Sequence, residues 1–404
     1  MPRRVPRSDF SLVYARASIR RRRVYDGAAT TGCDMNRRDV IAAMGAAATA
    51  AAMPLGARAD NAVSPEAARL YDRALVFDAN LGPPMQETFP YPKASLDMVR
   101  ASGITAVKTS LGGIDATFEE AVGEIAIFQQ AFEAYPDVFL QVRHHSDFAD
   151  AKRTKRMGVI LSFESVSMLE DKVERIGLFR GLGVRVMQLN YNKASPFGTG
   201  VLGDPHGGLT PLGHKAVAAM NNHGVAIDIS HSNETTSFDV LKASATSPII
   251  THAGCAAVHP HPRNKSDALL RAVVQRGGVV GIYDLPYLAA SPKQPTLDDY
   301  IAHMVHALNV CGEDHVGIGS DSGLEPFDAS PAAMAEFHKD EAHRQRIGVA
   351  APEEDRPPYV IGLTTTRRSE VIADALLKRG YKSHAVEKIL GANFIDVLGR
   401  IWGA

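Results

Sequence analysis

The sequence has few cysteines, and they are placed where they are not expected to pair. Only three occur among 404 residues. Cys33 lies in an N-terminal segment that we expect to be removed, while Cys255 follows a predicted strand and Cys311 precedes one. The starts and ends of parallel strands lie at opposite ends of a sheet, so these two thiols are not expected to meet. We therefore expect a fold without a disulfide.

The chain also lacks an excess of charge and a dinucleotide-binding motif. Its formal net charge is −1 and 45% of its residues are hydrophobic. A nearly neutral chain gives no electrostatic reason to expect binding to nucleic acid or to an anionic membrane surface. No G-x-G-x-x-G follows the first predicted strand, so a dinucleotide site has no support. The length is ample for one large hydrophobic core.

The N-terminal region lacks an apolar run that would make a good membrane span. The twin arginine Arg37–Arg38 precedes an alanine-rich stretch that ends in the A-x-A sequence Ala57-Arg58-Ala59. This arrangement is typical of a twin-arginine export signal, which we assign to residues 35–59. The stretch contains Pro54 and two glycines, and alanine contributes little transfer free energy, so no stable membrane span is expected. A retained N-terminal anchor is the alternative.

Residues 1–34 precede a plausible start at Met35. We interpret them as a misassigned start or a disordered segment, and residues 60–404 as one folded domain. A twin-arginine signal predicts a bacterial periplasmic protein, and it suits an enzyme that acquires its cofactor before export.

Beyond the signal, short apolar runs alternate with helix-length segments. Eight runs are candidate strands: ALVFDA, ITAVKTS, GVILSFE, VRVMQLN, VAIDIS, PIITH, GVVGIYD and HVGIGSD. Strands separated by helices in this way predict a single (β/α)₈ TIM-type barrel, here with extra C-terminal helices. A doubly wound parallel sheet is the second choice of fold.

The stretch Val225–Asn264 places two histidines at matched strand ends. His231 follows VAIDIS, His252 follows PIIT, and a predicted helix, Glu234–Ala243, separates them. The strands of such a unit are parallel neighbours, so both imidazoles project from the C-terminal edge of the sheet, where α/β folds keep their active sites. Either histidine alone could be a hydrogen-bonded loop residue, but the pair predicts metal ligation.

Other predicted strand ends supply acidic groups. Glu164 ends LSFE, and together with His231 and His252 it forms the ligand set of a catalytic zinc with an open fourth position. Such an ion lowers the pKa of bound water to roughly 7. Asp321 is a candidate to accept that proton, and Arg263 is a candidate clamp for a substrate carboxylate. The alternatives are a turn residue for Asp321, a surface ion pair for Arg263 and a structural salt bridge for Glu164.

Several motifs together resemble the membrane (renal) dipeptidases, zinc-dependent enzymes with a distorted, amidohydrolase-like (β/α)₈ barrel. They are LSFES, LGVRVMQLNYN, AIDISHS, THAGCAAVHPHPRN and DHVGIGSDSG, and the resemblance extends from about Leu75 to the C-terminus. It implies that Glu164 bridges two metal ions and that His231 and His252 bind one of them. It also implies that the arginine of the RN pair contacts a substrate carboxylate and that the aspartate of GSD serves catalysis. Members of the family are often dimers, so a homodimer acting on a small-molecule substrate is among the assemblies that the resemblance implies.

The chain departs from that family at two positions. The family's first strand carries a His-x-Asp pair that binds the other metal, and the matching residues here are Asn80 and Gly82, neither of which is a good zinc ligand. The family's carbonyl-polarising histidine is replaced by Tyr191, whose phenol can donate a hydrogen bond but cannot carry an imidazolium charge. We therefore expect one zinc per chain instead of two. Lys108 is a candidate replacement cation close to the two acidic groups of the site, unless it extends to solvent.

The sequence thus favours a zinc-dependent, dipeptidase-like hydrolase with a mononuclear site that cleaves a dipeptide or a related small amide. Tyr191 and Asp321 are its catalytic candidates, and Arg263 and Tyr191 its substrate-binding candidates. One alternative is a degenerate relative that binds small peptides or amino-acid derivatives without turnover. Another is a mononuclear amidohydrolase or lactonase that acts on a non-peptide substrate.

Overall fold

A computed structural model describes residues 63–403 of the chain. The predicted export signal at 35–59 and the segment 1–34 lie outside the described residues. Within the described part, the chain alternates helices with short parallel strands from its first helix onward, as the sequence predicts. The fold is therefore of the α/β class.

The helices occupy the helix-length segments between the predicted strands, and α7 has the predicted bounds Glu234–Ala243. Thr117 and Thr296 each begin a helix with a capping box, in which the threonine hydroxyl accepts from the backbone of the third helical residue and that residue's carboxylate accepts in return. The α-helices are α1 Pro65–Arg73, α2 Lys93–Ser102, α3 Phe118–Ala134, α4 Ser146–Thr154, α5 Arg175–Leu182, α6 Pro211–His223, α7 Glu234–Ala243, α8 Asp267–Gln275, α9 Leu297–Cys311, α10 Pro331–Arg346, α11 Arg368–Lys378, α12 Ser383–Glu387 and α13 Asn393–Trp402.

The strands are short and pair in parallel. They are β1 Phe77–Asp78, β2 Leu81–Gly82, β3 Ala106–Leu111, β4 Phe139–Gln141, β5 Met157–Phe163, β6 Val184–Met187, β7 Ala226–Ile227, β8 Ile250–Ala253, β9 Val280–Ile282, β10 Val316–Ile318 and β11 Ser322–Gly323. One sheet has the order β1-β3-β5-β6-β7, with β4 attached to β5, and a second has the order β10-β9-β8. All eight predicted strands are present.

The two sheets meet at both edges and form a curled arrangement. A parallel bridge joins Asp228 to Ile249 between β7 and β8, and the Ala79 amide donates to Ile318 O (2.9 Å) between β1 and β10. Of the predicted distorted (β/α)₈ barrel, the curled parallel α/β sheet is confirmed and the exact eight-stranded closure is not, because both junctions consist of isolated contacts. In addition, β4 pairs with the first half of β5, whereas β6 pairs with the second half. The pairing of β5 with β6 contains a register shift after Leu161. The extra strand VFLQ was not among the eight predicted.

The C-terminal helical segment, residues 384–401, is divided in the structure. A π-helical turn at Lys388–Ala392 separates α12 from α13. A Cβ on Gly391 would lie 2.3 Å from Leu75 O, so the glycine lets the helical backbone approach the strand that follows Leu75. The π-helical turn thus allows the C-terminal helices to pack closely against the chain at the start of β1.

Both cysteines of the described chain, Cys255 and Cys311, are buried and free, which confirms the expected absence of a disulfide between them. Among residues 63–403, no helix has both the length and the apolar character that crossing a bilayer requires.

Candidate metal centre

Three predicted ligands meet at the carboxyl ends of the strands. Glu164 directly follows β5, His231 lies four residues beyond β7, and His252 is within β8. One ligand atom from each lies within 4.8 Å of the other two. The parallel pairing of the strands is what brings these distant positions together at one edge.

The ring of His231 is oriented by Asn192. The Asn192 side-chain amide donates to Val349 O (2.9 Å), so its oxygen faces the histidine and lies 2.7 Å from His231 Nδ1. A carbonyl oxygen only accepts, so Nδ1 carries the proton. The other ring nitrogen, Nε2, is therefore unprotonated, and its lone pair faces Arg263 Nη2 at 3.1 Å.

The ring of His252 is oriented in the same way through a threonine. The Thr251 hydroxyl donates to Asp228, and its oxygen lies 2.8 Å from His252 Nδ1. The hydroxyl proton is already used, so Nδ1 of the imidazole must be the donor in this contact. A buried carboxylate therefore fixes the His252 tautomer through one hydroxyl, as outer-shell groups do for metal-bound histidines.

The unprotonated Nε2 atoms of the two histidines face each other. His231 Nε2 and His252 Nε2 are 3.0 Å apart, and neither has a proton to share. Burial, and after it the charge of Arg263, lowers the pKa of both imidazoles well below the usual value, so protonation does not resolve the contact. A cation between two lone pairs and a carboxylate does resolve it. The residues present therefore fit a metal ion of the zinc type, which binds neutral imidazole at about 2.0–2.1 Å.

Asn80 spans the two carboxylates of the site. Its amide nitrogen donates to Glu164 Oε1 (2.8 Å) and to Asp321 Oδ1 (2.6 Å). Ser110 Oγ also donates to Glu164 Oε1, at 3.0 Å. Gly82, the other departure from the family pattern, lies in β2 beside Gly323 and lines the cavity without a side chain. A neutral donor thus stands where the resemblance implies a second cation.

Asp321 occupies a turn with a left-handed backbone conformation (φ 57°). Its amide donates to Asn80 O at 2.6 Å, which aims the side chain at the site. Oδ2 lies 4.0 Å from His252 Nε2. Burial, followed by the negative charge of Glu164, raises the pKa of the Asp321 carboxyl to about 8.

Arg263 is buried beside the histidines, with 1% exposure. One terminal nitrogen, Nη1, donates to Ser230 O, and the other, Nη2, lies 3.1 Å from His231 Nε2. The alternative interpretation, that Arg263 forms an ion pair on the surface, is therefore wrong. Its guanidinium also lines the cavity.

Tyr191 stacks on His231, with ring centroids 4.1 Å apart and planes inclined by 26°. Its hydroxyl oxygen accepts from Arg344 Nη2 at 3.3 Å. Burial raises the pKa of the phenol, so the proton stays on the oxygen. The hydroxyl is thus a donor at the rim of the metal site.

Lys108 is buried, so the alternative that it extends to solvent is wrong. Its ammonium lies 4.0 Å from Asp228 Oδ2, which is its ion-pair partner within residues 63–403. It forms no ion pair with Glu164 or Asp321 there, but its positive charge lowers the pKa of Asp321. Its role as a replacement cation for the site stays a prediction.

Sequence reasoning missed the residues that orient the site. Asn192 follows Tyr191 in LNYN, and a polar residue at a strand end was a usable signal. Asp228 was a second signal, because a carboxylate inside the apolar run VAIDIS needs a buried partner. Arg344 gave no signal, since it lies on a helix of polar composition far along the chain.

The site opens into a cavity of about 1200 Å³. Its floor carries Glu164, His231 and Asp321, and one wall is formed by α10. The cavity gives the strand-end residues access to a small-molecule ligand.

Comparisons with known proteins agree on one family. The family model for membrane dipeptidase, peptidase family M19, matches residues 66–348. Dipeptidase tcpJ of Claviceps purpurea is 27% identical over 289 residues, which make up 71% of this chain and 61% of tcpJ, so this chain spans about three fifths of that relative. An uncharacterized protein in the pqqA 5′ region of Klebsiella pneumoniae is 29% identical over 268 residues, or 64% of this chain and 87% of that protein.

Solved structures give the same result for the fold. An amidohydrolase from Pseudomonas aeruginosa aligns with a TM-score of 0.74 and 26% identity, over 84% of this chain and 99% of that one. A metallo peptidase from Rhodobacter sphaeroides, liganded with a phosphinate mimic of the dipeptide L-Ala-D-Ala, shares the fold with a TM-score of 0.66, at 20% identity over 81% of this chain and 99% of that one. The match over residues 66–348 and these relatives show that the chain belongs to the membrane dipeptidase family, peptidase family M19, a family of metal-dependent hydrolases.

Proposed function

We propose that this protein is a hydrolase with a single zinc ion that cleaves the amide bond of a dipeptide or a related small amide. The observation that carries the proposal is the pair of unprotonated Nε2 atoms, 3.0 Å apart beside Glu164. Two neutral imidazoles and a carboxylate leave a fourth position open, as catalytic zinc sites do. The dipeptidase relatives support an amide as the substrate.

One ion, rather than two, is supported by the first strand. Asn80 donates to both carboxylates, so each already has a partner without a second cation. Gly82 offers no side chain at the second position of the His-x-Asp pattern. A second ion at this place would have to displace the amide and would gain no new ligand.

The residues of the chain divide the chemistry among them. When bound, the ion supplies Lewis acidity and lowers the pKa of water towards neutrality. Asp321 takes up a proton and passes it to the leaving amine, as a general acid–base carboxylate does. Tyr191 donates its hydroxyl proton in a hydrogen bond to the carbonyl oxygen as negative charge develops there.

Arg263 is the group that we assign to the substrate carboxylate. Its buried charge beside His231 provides strong attraction in a setting of low polarity. Both of its terminal nitrogens have acceptors within the protein, Ser230 O and His231 Nε2. Each terminal nitrogen carries two N–H groups, and these contacts use one on each, so one N–H on each remains for a substrate carboxylate.

Metal analysis of the purified protein, combined with an assay on a panel of dipeptides, N-acyl amino acids and lactones, tests this function. We expect one zinc per chain and turnover of at least one amide, both lost in His231→Ala. His384→Ala is a matched control, because His384 is an exposed histidine on α12, and it should retain both. Two ions per chain would contradict the mononuclear site. A metal-free protein that binds peptides without turnover would identify a degenerate binder instead.

We further propose that the enzyme works in the bacterial periplasm. The support is the twin arginine at Arg37–Arg38 and the A-x-A sequence that ends at Ala59. Fractionation of cells that express the full chain should find the mature protein in the periplasm, and Arg37→Lys with Arg38→Lys should retain it in the cytoplasm. Export of that variant would contradict the assignment.

A further inference from the structure

The Tyr191 hydroxyl is held between the metal site and a cation. On one side its ring stacks on His231, 4.1 Å away. On the other side Arg344 Nη2 donates to the phenol oxygen at 3.3 Å, and the guanidinium carbon lies 5.8 Å from the ring centroid. Both residues line the cavity. The phenol oxygen thus accepts from a cation while its own proton remains available to a ligand.

The guanidinium is fixed in this position. Glu354 Oε1 pairs with Arg344 Nε (2.7 Å) and Nη2 (2.6 Å), and the side chains are only 11% and 18% exposed. The other Glu354 oxygen accepts from the Ala351 amide at 2.7 Å. The backbone beyond α10 is also anchored, because the Val349 amide donates to Arg344 O and Asn192 donates to Val349 O. The end of α10 is therefore docked on the strand-end segment that contains Tyr191.

This geometry places the positive charge of Arg344 next to the neutral hydroxyl of Tyr191. A hydrogen bond donated by a cation to a hydroxyl oxygen withdraws electron density and makes the O–H a stronger donor. Fixed donors aimed at a developing oxyanion contribute most when they need no reorganisation. An imidazolium donor would combine charge and proton in one side chain, whereas here the proton is on Tyr191 and the charge is on Arg344.

We propose that Arg344 is a positioning residue that polarises the Tyr191 hydroxyl towards the substrate carbonyl oxygen. The proposal rests on the hydrolase function proposed above. Arg344 acts only through Tyr191, so its effect has to disappear when the hydroxyl is absent. If Arg344 only held α10 in place, its replacement would lower activity whether or not that hydroxyl is present.

A double-mutant cycle separates these two roles. Arg344→Met, Tyr191→Phe and the double variant are assayed for kcat and KM on an amide that the wild type hydrolyses. Arg344→Lys keeps the charge and should recover part of the loss. Arg271→Met removes a cation that pairs with Asp267 on α8, outside the cavity, and serves as the control. Thermal unfolding and zinc content of every variant show whether it has folded.

We expect Tyr191→Phe to lower kcat by about 100-fold, the usual order for loss of one oxyanion donor. Arg344→Met should lower kcat by about 10-fold with little change in KM, and by less than about 2-fold when Phe is already at position 191. The same pattern should appear in the affinity for a phosphinate dipeptide mimic, whose tetrahedral group resembles the transition state. Arg271→Met should match the wild type.

Two results would overturn the inference alone: multiplicative losses in the double variant, or a loss in Arg344→Met that appears only in KM or in stability. If Arg344→Met does not fold, the decision falls to Arg344→Lys, which should keep more than about a tenth of the wild-type kcat. In a Tyr191→Phe background the lysine substitution should then cause no further loss of kcat, and a loss of the same size in both backgrounds would overturn the inference. A wild type that contains zinc but hydrolyses no amide would overturn the proposed function, and the inference with it.

Discussion

The tautomer of His231 depends on one buried amide, and this can be tested by replacing Asn192 with leucine. The substitution keeps approximately the same volume but removes the oxygen that accepts from His231 Nδ1 (2.7 Å) and the donor to Val349 O (2.9 Å). The ring can then rotate or carry its proton on Nε2, the nitrogen that has to bind the ion. Loss of such an outer-shell partner typically lowers metal affinity by about 10–100-fold, or about 1.4–2.7 kcal/mol.

The same substitution also destabilises the fold, and that effect has to be separated. Two hydrogen bonds are lost and two buried groups are left without partners, so the free energy of unfolding should fall by about 2–4 kcal/mol. Asn393 is a matched control, because it is buried and its amide donates to Glu313 O (2.7 Å) and Val316 O (2.8 Å), away from the site. Asn393→Leu should lower stability by a similar amount and leave zinc affinity unchanged.

The assay is competition for zinc with a chromogenic chelator, under conditions where all three proteins are folded by circular dichroism. Only Asn192→Leu should lose zinc to the chelator at lower concentration. Equal zinc affinities in the two variants would show that Asn192 stabilises the fold without orienting the ligand.

Four further predictions concern the carboxylates and the ion. Asp321→Asn should lower kcat by about 10²–10⁴-fold, as loss of a general acid–base group does, while zinc content stays at one ion per chain; a retained rate would remove Asp321 from catalysis. Because the folded-state pKa of Asp321 is raised to about 8, its charge destabilises the metal-free protein increasingly as the pH rises from about 4 towards 8. Urea unfolding of the metal-free forms should therefore favour Asp321→Asn over the wild type more at pH 8 than at pH 5, and a constant difference would contradict the shift. Asn80→His combined with Gly82→Asp should raise the metal content from one ion per chain to two, because the bridging amide is replaced by metal ligands. A metal content that stays at one ion would show that residues other than these two also prevent binding of a second ion. Removal of zinc by a chelator should abolish hydrolysis and lower the melting temperature, and zinc should restore both.

Much of the site was predictable because its ligands are tied to a local pattern. Glu164, His231 and His252 each end an apolar run, and parallel strands place such ends at a common edge. That rule does not depend on side-chain detail, so it located the ligands before any distance was known. The pattern did not identify Asp228 as the ion-pair partner of Lys108, because a side chain of that length can reach several carboxylates and the sequence does not say which one it meets.

The sequence by itself determined the fold class, the positions of the eight predicted strands and the chemical identity of the candidate ligands, since these depend on periodicity and on residue type. Only the tertiary structure decided how those ligands are held. Asn192, Thr251 and Asp228 set the histidine tautomers through contacts of 2.5–2.9 Å. Arg344 reaches Tyr191 across a separation of 153 residues. Hydrogen bonds of this kind depend on distances and angles between elements remote in sequence, and no local pattern encodes them.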